Sequence, residues 1–451
     1  MMDASTSFLI ITLMLPLIGA TIVAFVRRPS VASRWSLAFL VGMLITASGA
    51  SLSFETGAVT WLGNFGVDPL AKPMLPVFAI LHLLTMLGTA KSRVTPQFCI
   101  RLLLSAFISV ATLTSQNTSG LVLLLILGVL LPLWDLKARG ERARGYLLYM
   151  LVFIVLLGLG WSLSMTPGNE WALGLLLVAL LVRGGIVPVH GWLPTLFQGA
   201  AFGTAMVFVL PLIEVLASLR LLLPLTPEWM LNVGSTLCLI TSVYGGGMAI
   251  VQKDVRRFFA HLCVSQTSLV LFAVMLHTSN GLTAALCLWI SSTLALTGLA
   301  FSMRALEARF GSLSLREHHG FYEQVPGLAI CFLLTGLACV GFPGTIGFVP
   351  MELLISGSVD QGLHVSFTLA IAAMLNGIAI LRAYFALFTG KRPTTSVSLQ
   401  TTPVERAGII VILLIVFLGG WFSPNVVASR HQTADQLLQR GGLRPVQNVH
   451  P

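Results

Sequence analysis

Apolar stretches long enough to cross a lipid bilayer follow one another along most of this chain, separated by short polar segments. A helix that crosses the hydrocarbon core needs about 20 mainly apolar residues. Only 9% of the 451 residues are charged, whereas soluble domains carry about 25%. The chain therefore cannot cover its apolar residues with an ordinary water-facing surface, and we predict an all-α integral membrane protein.

The apolar stretches number about fourteen, and we predict as many transmembrane helices. They group into four parts. Residues 1–101 hold helices 1–3, 102–225 hold helices 4–8, 226–390 hold helices 9–13, and 391–451 hold helix 14 and a polar tail. The two middle parts are predicted to be five-helix units.

Two of the predicted helices carry glycine and proline near their middle, where these residues interrupt a helix. The seventh contains Gly184, Gly185 and Pro188, and the twelfth contains Gly341, Pro343 and Gly344. Each is the fourth helix of its five-helix unit. Interrupted helices at matching positions favour an inverted-repeat transporter with its site near the bilayer midplane. The alternative is that both interruptions are kinks that serve packing alone.

Basic residues are concentrated in the loops that follow odd-numbered helices, and the net charge is +10. The positive-inside rule then places those loops in the cytoplasm and the N-terminus outside. Arg430, Arg440 and Arg444, after the last helix, do not fit this pattern. Basic residues that bind nucleic acid usually cluster in one stripe or domain, so the scattered distribution argues against nucleic acid as a partner.

The six cysteines show no spacing typical of a metal site, and all but Cys99 lie within apolar spans. Buried cysteine usually behaves as a small apolar residue. Glycine-rich nucleotide-binding loops after a strand pattern are also missing from the sequence. We therefore predict no metal, cofactor or redox centre in this chain, and any oxidoreductase activity would belong to an assembly.

Ionisable residues within membrane spans are energetically costly and are often functional. Six positions stand out for this reason: His82, Arg183, Glu214, His261, Glu352 and Arg382. Arg183 and Glu214 lie on neighbouring predicted helices at similar depth, where opposite charges neutralise each other. They indicate either a path for protons or cations, or a static ion pair that fixes helix packing.

The other ionisable positions admit similar alternatives. In the second unit, Glu352 and Arg382 occupy roughly the positions that Arg183 and Glu214 occupy in the first unit, with the order of the charges reversed. His82 and His261 serve either as relays or, more commonly, as hydrogen-bonded core residues. We predict that Asp135 is solvated at the cytoplasmic end of helix 5, and that Glu307 belongs to a polar surface loop continuing through residues 317–323.

Several stretches resemble one family, the antiporter-like membrane subunits of respiratory complex I, especially its M-type chain. Residues 187–194, which include Pro188, His190, Trp192 and Pro194, are similar to a family signature at helix 7. Four further stretches resemble family segments in order and at similar spacing: 67–70, 252–257, 341–345 and 381–385. The resemblance covers about residues 67 to 390.

This resemblance implies fourteen helices, two inverted five-helix repeats and proton movement along a central polar axis. It also implies a multi-pass protein of the bacterial inner (plasma) membrane that works with other membrane subunits in an NADH:quinone oxidoreductase-type complex. Related assemblies include cation/proton antiporters, membrane-bound hydrogenases and energy-coupled inorganic carbon uptake systems.

The chain departs from the family pattern at its charged positions. The helix-5 glutamate position falls near Leu127 and Gly128, and the helix-7 and helix-8 lysine positions hold Arg183 and Glu214. The helix-11 histidine position falls at Ser292, and Glu352 is the nearest match to the charge of helix 12.

These departures affect the expected mechanism because desolvated lysine can release its proton, whereas arginine stays charged. Our hypothesis is that Arg183 is a fixed counter-charge and Glu214 binds and releases the proton, with Glu352 as its counterpart in the second unit. Two alternatives remain open. One is a structural subunit with a degenerate relay, and the other is a subunit of an inorganic carbon or cation/proton transport complex.

Overall fold

A computed structural model describes residues 4–53, 59–61, 64–166, 168–223, 225–390 and 400–440. Eleven helices in these ranges are long and apolar enough to cross a membrane, and two shorter apolar helices accompany them, at Ala71–Leu87 and Pro326–Cys339. The chain is thus an all-α, multi-pass membrane protein, as predicted. A total of fourteen spans and the repeat relation between the two units stay predictions.

The helices, in chain order, are α1 Ala4–Ala24, α2 Pro29–Leu52, α3 Ala71–Leu87, α4 Pro96–Thr114, α5 Thr118–Ala138, α6 Arg144–Ser164, α7 Glu170–Arg183, α8 Trp192–Gly199, α9 Phe202–Val209, α10 Ile213–Ala217, α11 Glu228–Val251, α12 Val255–Met275, α13 Ser279–Phe310, α14 Pro326–Cys339, α15 Phe348–Gly357, α16 Leu363–Phe388, α17 Pro403–Trp421 and α18 Ser423–Arg440. Two short strands, β1 Val59–Trp61 and β2 Phe65–Val67, form an antiparallel hairpin between α2 and α3.

Both predicted interruptions are present. The seventh predicted helix is divided into α7 and α8, and the twelfth into α14 and α15. Gly185, Gly341 and Gly344 lie within these interruptions with φ of +68°, +79° and +83°, a region that glycine enters without steric cost. The positive φ values explain why the helix cannot continue through them.

The eighth predicted helix contains an interruption that the sequence analysis did not anticipate. Helix α9 ends at Val209, and Leu212 adopts left-handed backbone angles of φ 48° and ψ 48° before α10 begins. Pro211 lies between them, and a proline ring lacks the N–H donor and clashes with the preceding turn. A π-helical turn, Ser218–Leu222, then follows α10.

A further helix and the hairpin close one end of the molecule. Residues after the last predicted span were expected to be a polar tail, but they form α18, which packs against α13. Arg430 in α18 is buried and donates to the Pro69 carbonyl at 2.6 Å. On the same side, Arg220 in the π-helical turn pairs with Asp68 at 2.8 Å. Arg430 therefore has a local structural role, which accounts for one basic residue that did not fit the loop pattern.

The centre of the protein is formed by α12 and α13, whose apolar lengths are buried throughout. Close backbone contact supports this core: a Cβ atom on Gly245 of α11 would lie 2.8 Å from the Ser265 nitrogen of α12. By contrast, only 22% of the residues in the spans of α6 and α17 are buried. Those outward faces suit lipid or other membrane proteins, and the polar residues described below lie inside.

Candidate ion-translocation site

Arg183 and Glu214 form a buried ion pair between two interrupted helices. The guanidinium Nη1 and the carboxylate Oε2 lie 3.6 Å apart, and the two side chains are 4% and 2% exposed. Arg183 is the last residue of α7. Glu214 lies in the first turn of α10, directly after the interruption of the eighth predicted helix. The predicted juxtaposition is therefore present, and both residues lie directly beside a break.

Aromatic rings and a carbonyl hold the Arg183 guanidinium. Its Nη2 donates to the Phe208 carbonyl at 2.9 Å, and its central carbon lies 3.9 Å from the Phe208 ring centroid and 5.8 Å from that of Trp192. The Trp192 indole in turn donates to the Val182 carbonyl at 2.9 Å. Desolvated cation–π contacts of this kind stabilise a guanidinium, so Arg183 is fixed in place.

Glu214 is held less firmly. Its Oε2 atom is buried and has no hydrogen-bond partner among the described residues. The hydroxyl of Ser218 donates to the Glu214 main-chain carbonyl at 2.8 Å and not to the carboxylate. A carboxylate that is close to a cation but incompletely hydrogen-bonded can exchange a proton without breaking a network.

Side chains of α13 donate hydrogen bonds to the backbone carbonyls that are left without helical partners between α9 and α10. The Trp289 indole donates to the Pro211 carbonyl at 2.8 Å, and the Thr293 hydroxyl donates to the Leu210 carbonyl at 3.0 Å. Lipid cannot satisfy such carbonyls, so interrupted helices within membranes require protein or water beside them. Sequence analysis missed this feature, although Pro211 within an apolar span was a usable signal.

A cluster of three aromatic rings lies beside the break between α7 and α8. His190, which follows the break, lies 4.9 Å from the Tyr244 ring and 6.1 Å from the His261 ring, centroid to centroid. The Nδ1 atoms of both histidines are buried without a hydrogen-bond partner in the described part of the chain. The structure thus brings His261 together with a histidine from the predicted broken-helix motif.

Neutral polar side chains also form hydrogen bonds from α12 to its neighbouring helices. The amide of Asn376 donates to the Ser265 hydroxyl at 2.9 Å, and Ser265 donates to the Ser242 carbonyl at 2.7 Å. At the next residue of α12, Gln266 Oε1 accepts from the Ser292 hydroxyl of α13 at 3.2 Å. The helix-11 histidine position of the resembled family therefore holds an uncharged residue, Ser292, which is hydrogen-bonded to Gln266.

The structure does not join Glu352 and Arg382 in the way that it joins Arg183 and Glu214. Glu352 is exposed on α15, and no ion pair between the two occurs among the described residues. Arg382 instead donates to the carbonyls of Ile250 and Gln252 (3.0 Å to Gln252), at the end of α11. Arg382 thus caps a helix C-terminus, and a role for Glu352 in ion movement stays a prediction.

The second broken-helix motif packs against α17. The Ile346 N–H donates to the Val416 carbonyl at 2.9 Å, and a Cβ atom on Gly347 would lie 1.9 Å from the Ala338 carbonyl oxygen. Pro343 and Gly344 are exposed at the tip of the interruption, whereas Gly341 is half-buried. This motif is a close backbone junction that leaves no room for a side chain at Gly347.

A small cavity with a mainly apolar lining lies where the family resemblance implies a helix-5 carboxylate. It has a volume of about 30 Å³ and is lined by Gly128 of α5, by Arg183, and by the hydroxyl-bearing residues Ser105 and Ser109 of α4. Water needs about 10–15 Å³ of such space. The cavity is therefore large enough for a water molecule, and Arg183, Ser105 and Ser109 are polar residues of its lining.

Two acidic residues that we predicted to be surface groups are buried, and those predictions are wrong. Asp135 is 0% exposed and pairs with Arg101 at 2.8 Å and Arg139 at 3.2 Å. Glu307 lies within α13 and is paired with Arg256 by two contacts of 2.5 and 2.8 Å. Both lie near helix ends, but neighbouring helices cover them.

His82 is also fully buried in α3. Its Nδ1 lies 2.7 Å from the Phe78 carbonyl oxygen and its Nε2 lies 3.4 Å from the Ser105 hydroxyl. These contacts match the interpretation of a hydrogen-bonded core histidine.

Comparison with known proteins decides the family. A model of the NADH:quinone oxidoreductase/Mrp antiporter transmembrane family matches residues 149–376, just over half of the chain. The chain belongs to this family. The matched region contains the Arg183–Glu214 pair and both interrupted helices of the predicted repeats.

Individual members of the antiporter family are distant in sequence. NADH-quinone oxidoreductase subunit N of Alkalilimnicola ehrlichii is 26% identical over 317 residues, covering 64% of this chain and 63% of that protein. The chain thus matches less than two thirds of that relative's length. NADH-quinone oxidoreductase subunit 14 of Thermus thermophilus is 26% identical over 438 residues, covering 91% and 97%.

The fold of the antiporter-family chain is also found in solved structures. A chain of the Mrp complex from Dietzia sp. superposes with a TM-score of 0.85 over 97% of this chain and 98% of that one, at 18% identity. At this identity the similarity shows the fold alone.

Proposed function

We propose that this chain translocates ions, most simply protons, as an antiporter-like membrane subunit of a multi-subunit complex. Glu214 is the group that binds and releases the proton, and Arg183 is its fixed counter-charge. The buried pair between two interrupted helices, 3.6 Å apart, is the observation that carries this proposal.

The chemistry of the two side chains supports this division of roles. A guanidinium stays protonated in proteins, so Arg183 can attract but not relay a proton. Glu214 has a carboxylate oxygen without a hydrogen-bond partner among the described residues, which leaves a site where a proton can bind. His190 with His261, and Gln266 with Ser292, offer further donors and acceptors in the same core.

The test is ion transport by the assembled complex in sealed membrane vesicles. Glu214→Gln is expected to abolish substrate-driven proton uptake, with the complex still assembled, because glutamine keeps the shape and cannot exchange a proton. Glu317→Gln is the matched control, since Glu317 is exposed on a loop. Unchanged proton uptake in the Glu214→Gln complex contradicts the proposal.

The second candidate is a structural subunit that kept the fold and lost the relay. The absence of a carboxylate at Gly128, in the wall of the cavity beside Arg183, favours this alternative. It predicts that Glu214→Gln and Arg183→Gln reduce assembly of the complex and leave proton uptake per assembled complex unchanged.

The proteins that co-purify with this chain should show which kind of complex it belongs to. Relatives are named as NADH-quinone oxidoreductase subunits, and the similar solved chain belongs to an Mrp complex. Affinity purification of the tagged chain in mild detergent, followed by mass spectrometry, tests the choice. Iron–sulfur and further membrane subunits support a respiratory complex of the inner membrane, whereas a large soluble partner without redox centres indicates an inorganic carbon uptake system.

A further inference from the structure

A second, larger cavity lies at the end of the bundle where α3, α5 and α13 terminate and α4, α9 and α12 begin. Its volume is about 430 Å³. Four arginines line it: Arg93, Arg139, Arg256 and Arg304. Glu307 is the one acidic residue among the described residues of its wall.

Arg304 is fixed at the base of this arginine cavity. Its side chain is buried, and it donates to the Thr85 carbonyl at 2.8 Å and to the Thr89 hydroxyl. None of the ion pairs found among the described residues includes Arg304. A Cβ atom on Gly203 would lie 2.9 Å from its Nη2 atom, so glycine there leaves the space that the guanidinium occupies.

The remaining arginines share two carboxylates. Glu307 pairs with Arg256 and, more loosely, with Arg93 at 3.6 Å. Asp135, behind the wall, pairs with Arg139 and Arg101. Four arginines thus pair with two carboxylates, and Asp254 is a third negative charge near Arg256. With Arg304, which is in none of these pairs, the five arginines exceed the three carboxylates by two positive charges.

This excess of positive charge, with Arg304 buried and Arg93 and Arg139 about half exposed, makes the cavity unfavourable for metal cations and favourable for anions. The geometry of the wall narrows the class of anion. Guanidinium groups bind phosphate oxygens through paired, charge-assisted hydrogen bonds, and the arginines that line the space come from four separate segments of the chain. Basic pockets between transmembrane helices are also a recurring form of lipid headgroup site.

We propose that the arginine cavity binds a phosphate group. The group belongs either to the headgroup of an anionic phospholipid or to a free phosphate ion, since both present the same oxygens to the arginines. This site is separate from the Arg183–Glu214 pair and does not depend on ion translocation.

The experiment uses the full-length protein purified in a neutral detergent free of phosphate. Its melting temperature is measured against inorganic phosphate at constant ionic strength, and against phosphatidylglycerol in mixed micelles with phosphatidylcholine as the zwitterionic control. Native mass spectrometry counts the lipid that remains bound. Stabilisation by phosphatidylglycerol alone identifies a headgroup, and stabilisation by inorganic phosphate identifies the free ion.

Arg93→Gln and Arg139→Gln test the site because both side chains are about half exposed and are not needed to hold Arg304. Each is expected to weaken binding about tenfold, and the double variant about a hundredfold. Arg142→Gln, an exposed arginine outside the cavity, is the control and should bind like the parent. The proposal is overturned if neither probe raises the melting temperature, or if the control weakens binding as much as the double variant.

Discussion

The charged atoms of Arg183 and Glu214 approach to 3.6 Å, yet the hydrogen bonds of the guanidinium lead elsewhere. Arg183 donates to the Phe208 carbonyl at 2.9 Å, and Glu214 Oε2 has no hydrogen-bond partner within the described residues. The pair is therefore held by charge attraction and by its surroundings more than by direct bonding. Protonation of Glu214 removes this attraction, while Arg183 keeps its contacts with the Phe208 carbonyl and with the Phe208 and Trp192 rings.

The two members of this pair should respond unequally to substitution. Breaking a buried pair costs about 3–5 kcal/mol when a charge is left behind. We expect Arg183→Gln to destabilise less than Glu214→Gln, because an unpaired carboxylate can take up a proton whereas an unpaired guanidinium stays charged. Thermal melting in detergent measures both.

The double variant, which carries both Arg183→Gln and Glu214→Gln, completes a double-mutant cycle. It should recover about 0.5–3 kcal/mol relative to the sum of the single effects, since it removes both charges. Strict additivity of the two single effects would show that the residues do not interact.

Trp289→Phe removes the donor to the Pro211 carbonyl at the break beside Glu214. An unsatisfied buried carbonyl costs about 1–3 kcal/mol, and the freed segment carries Glu214. We therefore expect a lower melting temperature together with slower ion transport. Trp421→Phe serves as the control because Trp421 is 82% exposed, and equal losses in the two variants would contradict this role.

Asp135 anchors two arginines and also accepts from the Ala201 N–H at 2.6 Å. Asp135→Asn should destabilise by about 3–5 kcal/mol, because Arg101 becomes a buried cation without a counter-charge. Arg139→Gln removes a half-exposed partner and should cost about 1 kcal/mol or less. Comparable melting temperatures for the two variants would show that Asp135 is solvated after all.

Gly347→Ala should disrupt the close backbone contact between Gly347 and Ala338 at the interruption between α14 and α15. The added Cβ atom would lie 1.9 Å from the Ala338 carbonyl oxygen, and a backbone atom cannot move aside as a side chain can. Overpacking of this kind costs about 1–3 kcal/mol or more. Gly377→Ala is the control, since nothing lies within 4 Å of its added atom; the yield of folded protein in detergent should fall only for Gly347→Ala.

The cysteines offer a direct test of orientation. All six are free and buried, so a membrane-impermeant maleimide should not label the folded parent protein. Ser312→Cys and Ser119→Cys place a thiol at exposed positions on loops predicted to be cytoplasmic and external, respectively. In intact cells only Ser119→Cys should be labelled, and the reverse result would invert the predicted topology.

The sequence alone determined the membrane class, the interruptions near Gly185 and Gly341, and the pairing of Arg183 with Glu214. Each rests on a local property: apolar length matched to the bilayer, the φ values open to glycine, and charge at similar depth on adjacent helices. These properties act within one helix or between neighbours in the chain. They survive whatever arrangement the other helices adopt.

The tertiary structure decided what depends on distant partners. Asp135 and Glu307 are buried because Arg101 and Arg256 reach them from other helices, which no local pattern reveals. The interruption before Glu214 is satisfied by Trp289, 78 residues further along the chain. In the sequence, Glu352 and Arg382 occupy positions in the second unit that correspond roughly to those of Arg183 and Glu214 in the first. In the structure Glu352 is exposed and Arg382 caps the C-terminus of α11. The free energy of a buried charge is set by the atoms packed around it, and packing between distant segments is fixed only when the whole bundle assembles.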